Sequence, residues 1–504
     1  RLRPQHAREA EVQHLMTASA ILALATLFLW KGETQYVWRD FTNASDRLVL
    51  VKPSADAPVS KVGIALPVRG DRDALVPDRV VWNASMPVNP GESVRVVAEV
   101  RGTTSGPFSI RTELGDAAFA LDVSDRAFPA ERTVYLDIWQ HPWAVARYFR
   151  VRPFSDRHYD RMRPLWRELA SAGQKAITCT IMDRPWAHQC FDEYGTMVRH
   201  IRLGGGGWRF DYSVFDSYVE FARSCGLGPQ IHCYTLCPFR LRRYVWETED
   251  GLRGEGDFDV GSPQWRDYWT AFLEDFAAHL KAKGWLDATY IGLDERSPEE
   301  LKAAVDLLRA HGRFKVQMAG DRAPSEFDGI DVDNFSIALQ CVTPKYIAEA
   351  RERRKSGRLT TVYTAGSTPC TSMRNAPESV QWLGAYPGAV DLDGYLRWAF
   401  CSWPANPNAD STYNPWFGTW SAGGTFLHYP ESPSLRYLGL KNGLNISEKI
   451  RRLRAEGRID SRLQGLLGEF VYRKNAFPPP ADVADFLARV SREIQRVSNA
   501  ESGR

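Results

Sequence analysis

Asp294 and Glu295 are adjacent carboxylates at the end of the apolar run Ala-Thr-Tyr-Ile-Gly-Leu that occupies residues 288–293. Such a pair suits proton transfer: an ionised Asp294 raises the proton affinity of its neighbour by like-charge repulsion, so one group stays charged while the other holds a transferable proton. Arg296 follows, and is expected on the surface or as an ion partner behind the pair, since turned inward it would oppose that effect. A competing explanation needs no catalysis, because acids ahead of a helix are favourable on electrostatic grounds alone. Ser297-Pro298-Glu299-Glu300, before the amphipathic run 301–311, has the pattern of a cap, a first-turn proline and first-turn acids. Taken alone, the two explanations stand level.

Other chemistries have less support. His188, Cys190, His232, Cys233 and Cys237 lie near one another in sequence, but no Cys-x-x-Cys or His-Glu-x-x-His spacing accompanies them, so no metal is expected. Gly204–Gly207 lacks both a preceding strand and a following Lys-Ser/Thr, and reads as a surface loop rather than a phosphate cradle. His188 and His232 are read as hydrogen-bonded structural residues.

The elements that must position the acid pair follow from pattern. Residues 25–30, 47–51, 61–66, 93–100 and 133–139 are short β-rich runs separated by turn residues, and read as a β-sandwich. From about residue 150, helix-length amphipathic segments (160–172, 214–225, 265–283, 344–355) alternate with short buried runs. Those runs are 175–182, 230–236, 288–294, 314–319, 335–339, 360–365, 396–402 and 425–429, and eight of them suggest a TIM-like barrel. The expected organisation is multidomain: an N-terminal β-sandwich over 1–149, a (β/α)8 barrel over 150–445 and a C-terminal helical segment over 446–504. In such a barrel the chemistry sits at the carboxyl ends of the strands. That places Asp183, Trp186, Cys233, Tyr234, Asp294, Glu295, Gln317, Gln340, Tyr363, Trp403 and Asn406 around one mouth. Trp186, Trp208, Tyr212, Tyr234, Tyr363, Trp403, Trp416 and Trp420 offer flat apolar faces for a ring-shaped substrate.

The chain has 504 residues and a formal charge of only +3, with acidic and basic residues intermixed, so nucleic acid is not an expected partner. Its eight cysteines make no disulfide framework and are read mostly as free thiols. The run 16–30 is too short and too diluted by Thr17, Ser19 and Thr26 for a membrane span, and reads as folded core. The expected location is periplasmic or secreted if an export signal has been removed, and cytoplasmic otherwise.

In order along the chain stand His141-Pro142-Trp143-Ala144, Ala172-Gly173-Gln174-Lys175, Thr178-Cys179-Thr180-Ile181-Met182 and Phe210-Asp211-Tyr212. Gly284-Trp285, Asp294-Glu295, Cys401-Ser402-Trp403-Pro404, Asp410-Ser411 and Trp420-Ser421-Ala422-Gly423-Gly424 follow. This ordered set resembles glycoside hydrolase family 123 and its uncharacterised relatives over nearly the whole chain. The resemblance implies a retaining exo-β-N-acetylgalactosaminidase without metal or organic cofactor, acting on a glycan or glycoconjugate with a terminal N-acetylhexosamine. It implies that Asp294 orients the substrate's 2-acetamido group, whose carbonyl oxygen attacks the anomeric carbon, and that Glu295 is the general acid/base. Trp186, Tyr234, Tyr363, Trp403, Asn406 and Trp420 become the expected substrate contacts. Two rivals stand beside this reading: a β-N-acetylglucosaminidase or other exo-glycosidase on the same scaffold, and a carbohydrate-binding protein without catalysis.

Overall fold

A computed structural model describes residues 25–187, 189–239, 242–327, 330–364, 366, 368–413, 420–473 and 476–500. His188, Trp416 and residues 16–24 of the apolar run lie outside the described residues. At the centre is a parallel eight-stranded sheet: β1 (Tyr135–Ile138), β2 (Ala176–Thr180), β3 (Gln230–Tyr234), β4 (Thr289–Leu293), β5 (Lys315–Gly320), β6 (Asn334–Ala338), β7 (Leu359–Tyr363) and β8 (Gly394–Arg397). Neighbours in the chain are neighbours in the sheet from β2 to β8, and β8 pairs in parallel with β1.

The remaining seam, between β1 and β2, is nearly closed. Lys175 N donates to Leu136 O at 2.8 Å, and side-chain amides span the rest. Gln174 accepts from Ile138 N at 2.9 Å and donates to Ala176 O at 2.7 Å. Gln140 accepts from Thr178 N at 2.8 Å and donates to the Ile138 carbonyl. Buried backbone groups must be paired, and here glutamines do what a continuous ladder does elsewhere.

Two assignments differ from the sequence pattern. Residues 133–139 supply β1 of the barrel instead of an N-terminal strand, because the partner of β1 is β8, far along the chain, and no local pattern reports so distant a pairing. Residues 425–429 form no strand; Cys401 and Phe426 meet there in an isolated antiparallel bridge. Helices follow the barrel strands, such as Ser213–Ser224 after β2, Pro263–Ala282 after β3 and Pro298–Ala310 after β4. After β5, the described residues hold only the short 3-10 turn Pro324–Glu326.

Alternation along each strand sorts the barrel residues into two sets. Ile138, Ile177, Ile231, Ile291, Leu293, Val316, Phe335 and Val362 join the surrounding helices in one large apolar core. The alternate residues face inward and are polar, where such barrels usually carry branched aliphatics. Tyr135 Oη donates to Gln230 Oε1 at 2.5 Å and accepts from Asn334 Nδ2 at 2.9 Å, and His232 Nδ1 lies 3.0 Å from Asp137 Oδ2.

The N-terminal region is strand-rich. Besides the two-stranded pair Val49–Val51 and Met86–Val88, it holds two four-stranded sheets: the first orders Ala25–Lys31, Gly115–Ala127, Gly106–Thr112 and Ser54–Ala55, and the second orders Thr34–Thr42, Ser93–Arg101, Val59–Arg69 and Leu75–Trp82. Both contribute to one cluster that includes Leu29, Val37, Val96, Phe108 and Phe119. The opposite face of the second sheet, through Tyr36, Ala65, Val80 and Val97, packs on Leu435 and Leu438 of the helix Leu435–Ala455. That helix runs across the expected boundary at 445/446. Two buried ion pairs fix it to the N-terminal sheets: Arg436 Nε to Asp78 Oδ1 at 2.9 Å and Lys449 Nζ to Glu33 Oε2 at 3.0 Å. The helices Ser461–Leu467 and Pro480–Asn499 complete the chain's apolar core through Leu463, Leu487 and Ile494. No helix among the described residues is long and apolar enough to cross a membrane.

Candidate active site

Strand β4 is buried along its length and ends at Leu293, so Asp294 and Glu295 emerge at the carboxyl end of the barrel. The helix behind them begins with a full capping box: Ser297 Oγ accepts from Glu300 N at 3.3 Å and Glu300 Oε2 accepts from Ser297 N at 3.2 Å. Capping is therefore the work of Ser297 and Glu300, and Asp294 and Glu295 point elsewhere.

Their surroundings differ. Asp294 Oδ2 accepts from Trp186 Nε1 at 3.1 Å and lies 3.6 Å from Arg296 Nη2. Burial pushes the Asp294 carboxyl above the usual range, the Arg296 guanidinium pulls it back, the Glu295 charge adds to the rise and the Trp186 N–H opposes it. Arg296 is turned inward and only 6% exposed. Its Nε donates to Cys237 O at 3.0 Å and its Nη1 to Glu295 O at 2.9 Å, so it braces the backbone of the acid turn as well as facing Asp294. Glu295 takes a hydrogen bond on Oε1 from the Tyr363 hydroxyl at the end of β7. Burial and the adjacent carboxylate hold that phenol well above its ordinary pKa, so it remains a donor.

Both acids, Arg296 and Tyr363 line a cleft of about 120 Å³ with Trp139, Gln189, Phe239, Ala319, Thr364, Leu396, Trp398 and Trp420. Trp398 and Trp420 lie 5.0 Å apart between ring centroids, at 34°. Trp139 stacks on Trp186 at 5.3 Å, and Tyr234 packs against both at 4.5 and 5.2 Å. Tyr234 is fully buried and its hydroxyl donates to Gln317 Oε1 at 3.1 Å. Gly292 makes this possible, since a Cβ there would lie 2.4 Å from the Tyr234 ring. Tyr234 thus supports the indoles that frame the site and does not itself line the cleft.

Of the expected contacts, Tyr363 and Trp420 line the cleft, and Trp186 reaches it through Asp294. Trp403 is a core residue: fully buried, with its indole N–H donating to His428 O at 2.6 Å and its ring edge-on to Tyr148 at 5.4 Å. Asn406 is an exposed loop residue whose carbonyl accepts from Ala409 N and Asp410 N. Trp208 belongs to a small sheet inserted after β2 and β3 and packs on Tyr268, and Tyr212, just past that sheet at the start of the helix Ser213–Ser224, stacks on His279. His232 sits below the site against Asp137. Trp139 and Trp398 were missed, although each continues the inward alternation of its strand, Asp137 to Trp139 and Leu396 to Trp398. Gln189 and Phe239 have no comparable mark in the sequence. The eight cysteines are free thiols, and the described residues contain no cluster of three or more His, Cys, Asp or Glu able to hold a metal.

Two carboxylates beside paired indoles stand at the carboxyl end of a parallel eight-stranded barrel, the end at which barrel enzymes carry their active sites. The model of the glycoside hydrolase 123 catalytic domain matches residues 139–453, and the chain belongs to that family of glycosidases. A solved family 123 glycoside hydrolase from Clostridium perfringens, described for glycolipid glycan hydrolysis, superposes with a TM-score of 0.80 at 22% identity, covering 96% of each chain. A family 5 mannosidase from Rhizomucor miehei gives a TM-score of 0.32 at 11% identity over 65% of this chain and 96% of its own, too slight a likeness to bear on the site. No curated protein matches the chain.

Proposed function

We propose that the protein is a retaining exo-β-N-acetylgalactosaminidase that releases terminal β-linked N-acetylgalactosamine through participation of the substrate's own 2-acetamido group. The observation that carries this reading is the unequal support of two adjacent carboxylates: Asp294 against Trp186 and Arg296, Glu295 against Tyr363. Carboxyls that act as nucleophile and acid from opposite sides of a sugar stand about 5 Å apart across the ring. Sequence neighbours on one strand end are poorly placed for that, and well placed to serve one acid and one amide.

In the first step Glu295 donates its proton to the glycosidic oxygen while the acetamido carbonyl oxygen attacks the anomeric carbon. The bond to the leaving group breaks and an oxazolinium-like ring forms. Ionised Asp294 holds the acetamido N–H and balances the positive charge that develops there. Glu295 then takes a proton from water, whose oxygen attacks the anomeric carbon as the ring opens. Two inversions give net retention. The small cleft under Trp398 and Trp420 suits a single terminal sugar. Its substrate is a glycoconjugate, and the family 123 relative described for glycolipid glycans favours a lipid-linked one. The two four-stranded N-terminal sheets, which we read as the faces of a β-sandwich, frame the barrel.

The test compares chromogenic β-GalNAc, β-GlcNAc and β-Gal substrates, with the product anomer read by proton NMR. Turnover of β-GalNAc with retention, and little of the other two, is expected. Equal rates on β-Gal would remove acetamido participation, a preference for β-GlcNAc would reassign the specificity, and binding without turnover of any would leave a carbohydrate-binding protein.

A further inference from the structure

Trp420 is carried on a loop that is anchored in part from outside the barrel. The turn Asp71–Asp73 joins two strands of the N-terminal region, Val59–Arg69 and Leu75–Trp82. Asp71 Oδ1 accepts from Ala422 N at 3.0 Å, two residues beyond Trp420, while Oδ2 accepts from Arg374 Nε. The next peptide is held too, since Met373 N donates to Ala422 O at 2.8 Å. Just before this turn, Arg69 O accepts from Ser411 Oγ at 2.8 Å, and Ser411 O accepts from Gly423 N at 3.0 Å.

A second N-terminal acid works at the far end of the loop. Asp78 pairs with buried Arg436, whose Nη1 donates to Gly423 O at 2.8 Å and to Phe426 O at 3.1 Å. Gly423 has a φ of +66°, and a Cβ there would lie 2.7 Å from Arg436 Nη2, so the backbone passes too close to the guanidinium for any other residue. Ahead of the anchor, Trp420 N donates to Tyr413 O at 3.0 Å and its Nε1 to Gln189 O at 3.1 Å, presenting the ring to Trp398 in the cleft.

We propose that Asp71 is a positioning residue of the active site: through the Ala422 peptide it fixes Trp420 against Trp398, which makes the N-terminal region a builder of the sugar-binding wall. A bond from a side-chain carboxylate to a backbone N–H sets a loop's path as a covalent neighbour would, and an indole wall tolerates little displacement before stacking is lost.

The role of Trp420 as a sugar contact rests on the proposed function, whereas the geometry of the anchor does not, and the test separates them. In protein labelled with 5-fluorotryptophan, the Trp420 resonance is assigned by its loss in Trp420→Phe. Asp71→Ala is expected to shift or broaden it, and Asp71→Asn, which keeps an acceptor for Ala422 N, to restore it. An unmoved resonance in Asp71→Ala overturns the anchor whatever the enzyme's substrate. With whichever hexosaminide is turned over, Asp71→Ala is expected to raise KM about fivefold to tenfold with kcat nearly unchanged, the size of one lost aromatic contact. In a Trp420→Ala background the same substitution is expected to add nothing. An undiminished effect there, or a fall in kcat alone, overturns the coupling to Trp420.

Discussion

The outer and inner faces of the barrel strands are built from opposite materials. Outward, Ile177, Ile231, Ile291, Val316 and Val362 lie in the apolar core beneath the helices. Inward, Asp137, Gln230, His232, Gln317 and Asn334 make a polar interior that leads up to Asp294 and a ring of aromatic side chains. Stability is thus concentrated between sheet and helices, and chemistry within the ring of strands. A mutation on one face is expected to leave the other face's property intact, and each experiment below probes that division.

The largest expected effects form a pair. Glu295→Gln keeps size and hydrogen-bonding capacity but removes the transferable proton, and is expected to lower kcat/KM about a thousandfold with the melting temperature unchanged. Ile291→Ala, four residues earlier and facing the helices, is expected to cost about 3 kcal/mol of stability in denaturant titration, with kcat/KM per folded molecule retained. A large loss of stability in the first, or of specific activity in the second, would blur the two faces into one.

Next comes the electrostatics of Asp294. Its raised pKa means that the ionised form, which the proposed mechanism uses to hold the acetamido group, is lost as pH falls through a value above the ordinary carboxylate range. Arg296 acts to lower that value. In Arg296→Met the acid limb of the kcat/KM profile is therefore expected to move toward neutral pH. A limb that stays in place, or moves to lower pH, would mean that another group controls it. Folding linkage runs with the same sign: a carboxyl whose folded pKa is raised favours folding most at low pH, and that contribution is lost as pH rises through the folded value. The charge on Asp294 is thus a cost to the fold at the pH where the proposed mechanism uses it.

The smallest effect is expected at Tyr363. Tyr363→Phe removes the hydroxyl that donates to Glu295 and is expected to lower kcat about fivefold with KM little changed. A loss as large as that of Glu295→Gln would make Tyr363 a proton-transfer group in its own right.

Much of this was legible in the chain. Seven of the eight barrel strands stand out as short buried runs, and Asp294-Glu295 falls at the end of one of them because strand and acid turn adjoin in sequence. What depends on the path of a loop was not legible. Trp403 sits a few residues past β8, as a pocket residue would, yet its indole N–H turns back to His428 O and its ring enters the core. Trp398, closer to the strand, keeps the inward alternation and reaches the cleft. Periodicity holds only while the backbone stays extended. Arg296, expected behind the pair or on the surface, is drawn inward because Cys237 O and Glu295 O offer acceptors that only the folded chain brings together.

The glutamine seam has a consequence for the order in which the molecule can be made. β1 leaves the ribosome before every other barrel strand, yet its backbone ladder is with β8, the last to appear. With β2 it shares one backbone hydrogen bond and the amides of Gln140 and Gln174. A nascent chain stopped short of Gly394 therefore holds its first strand by one backbone hydrogen bond and two side-chain amides along one edge and by nothing along the other. The barrel is completed backwards, by its last strand arriving on its first, so a long stretch of translation passes with an open sheet edge in need of protection.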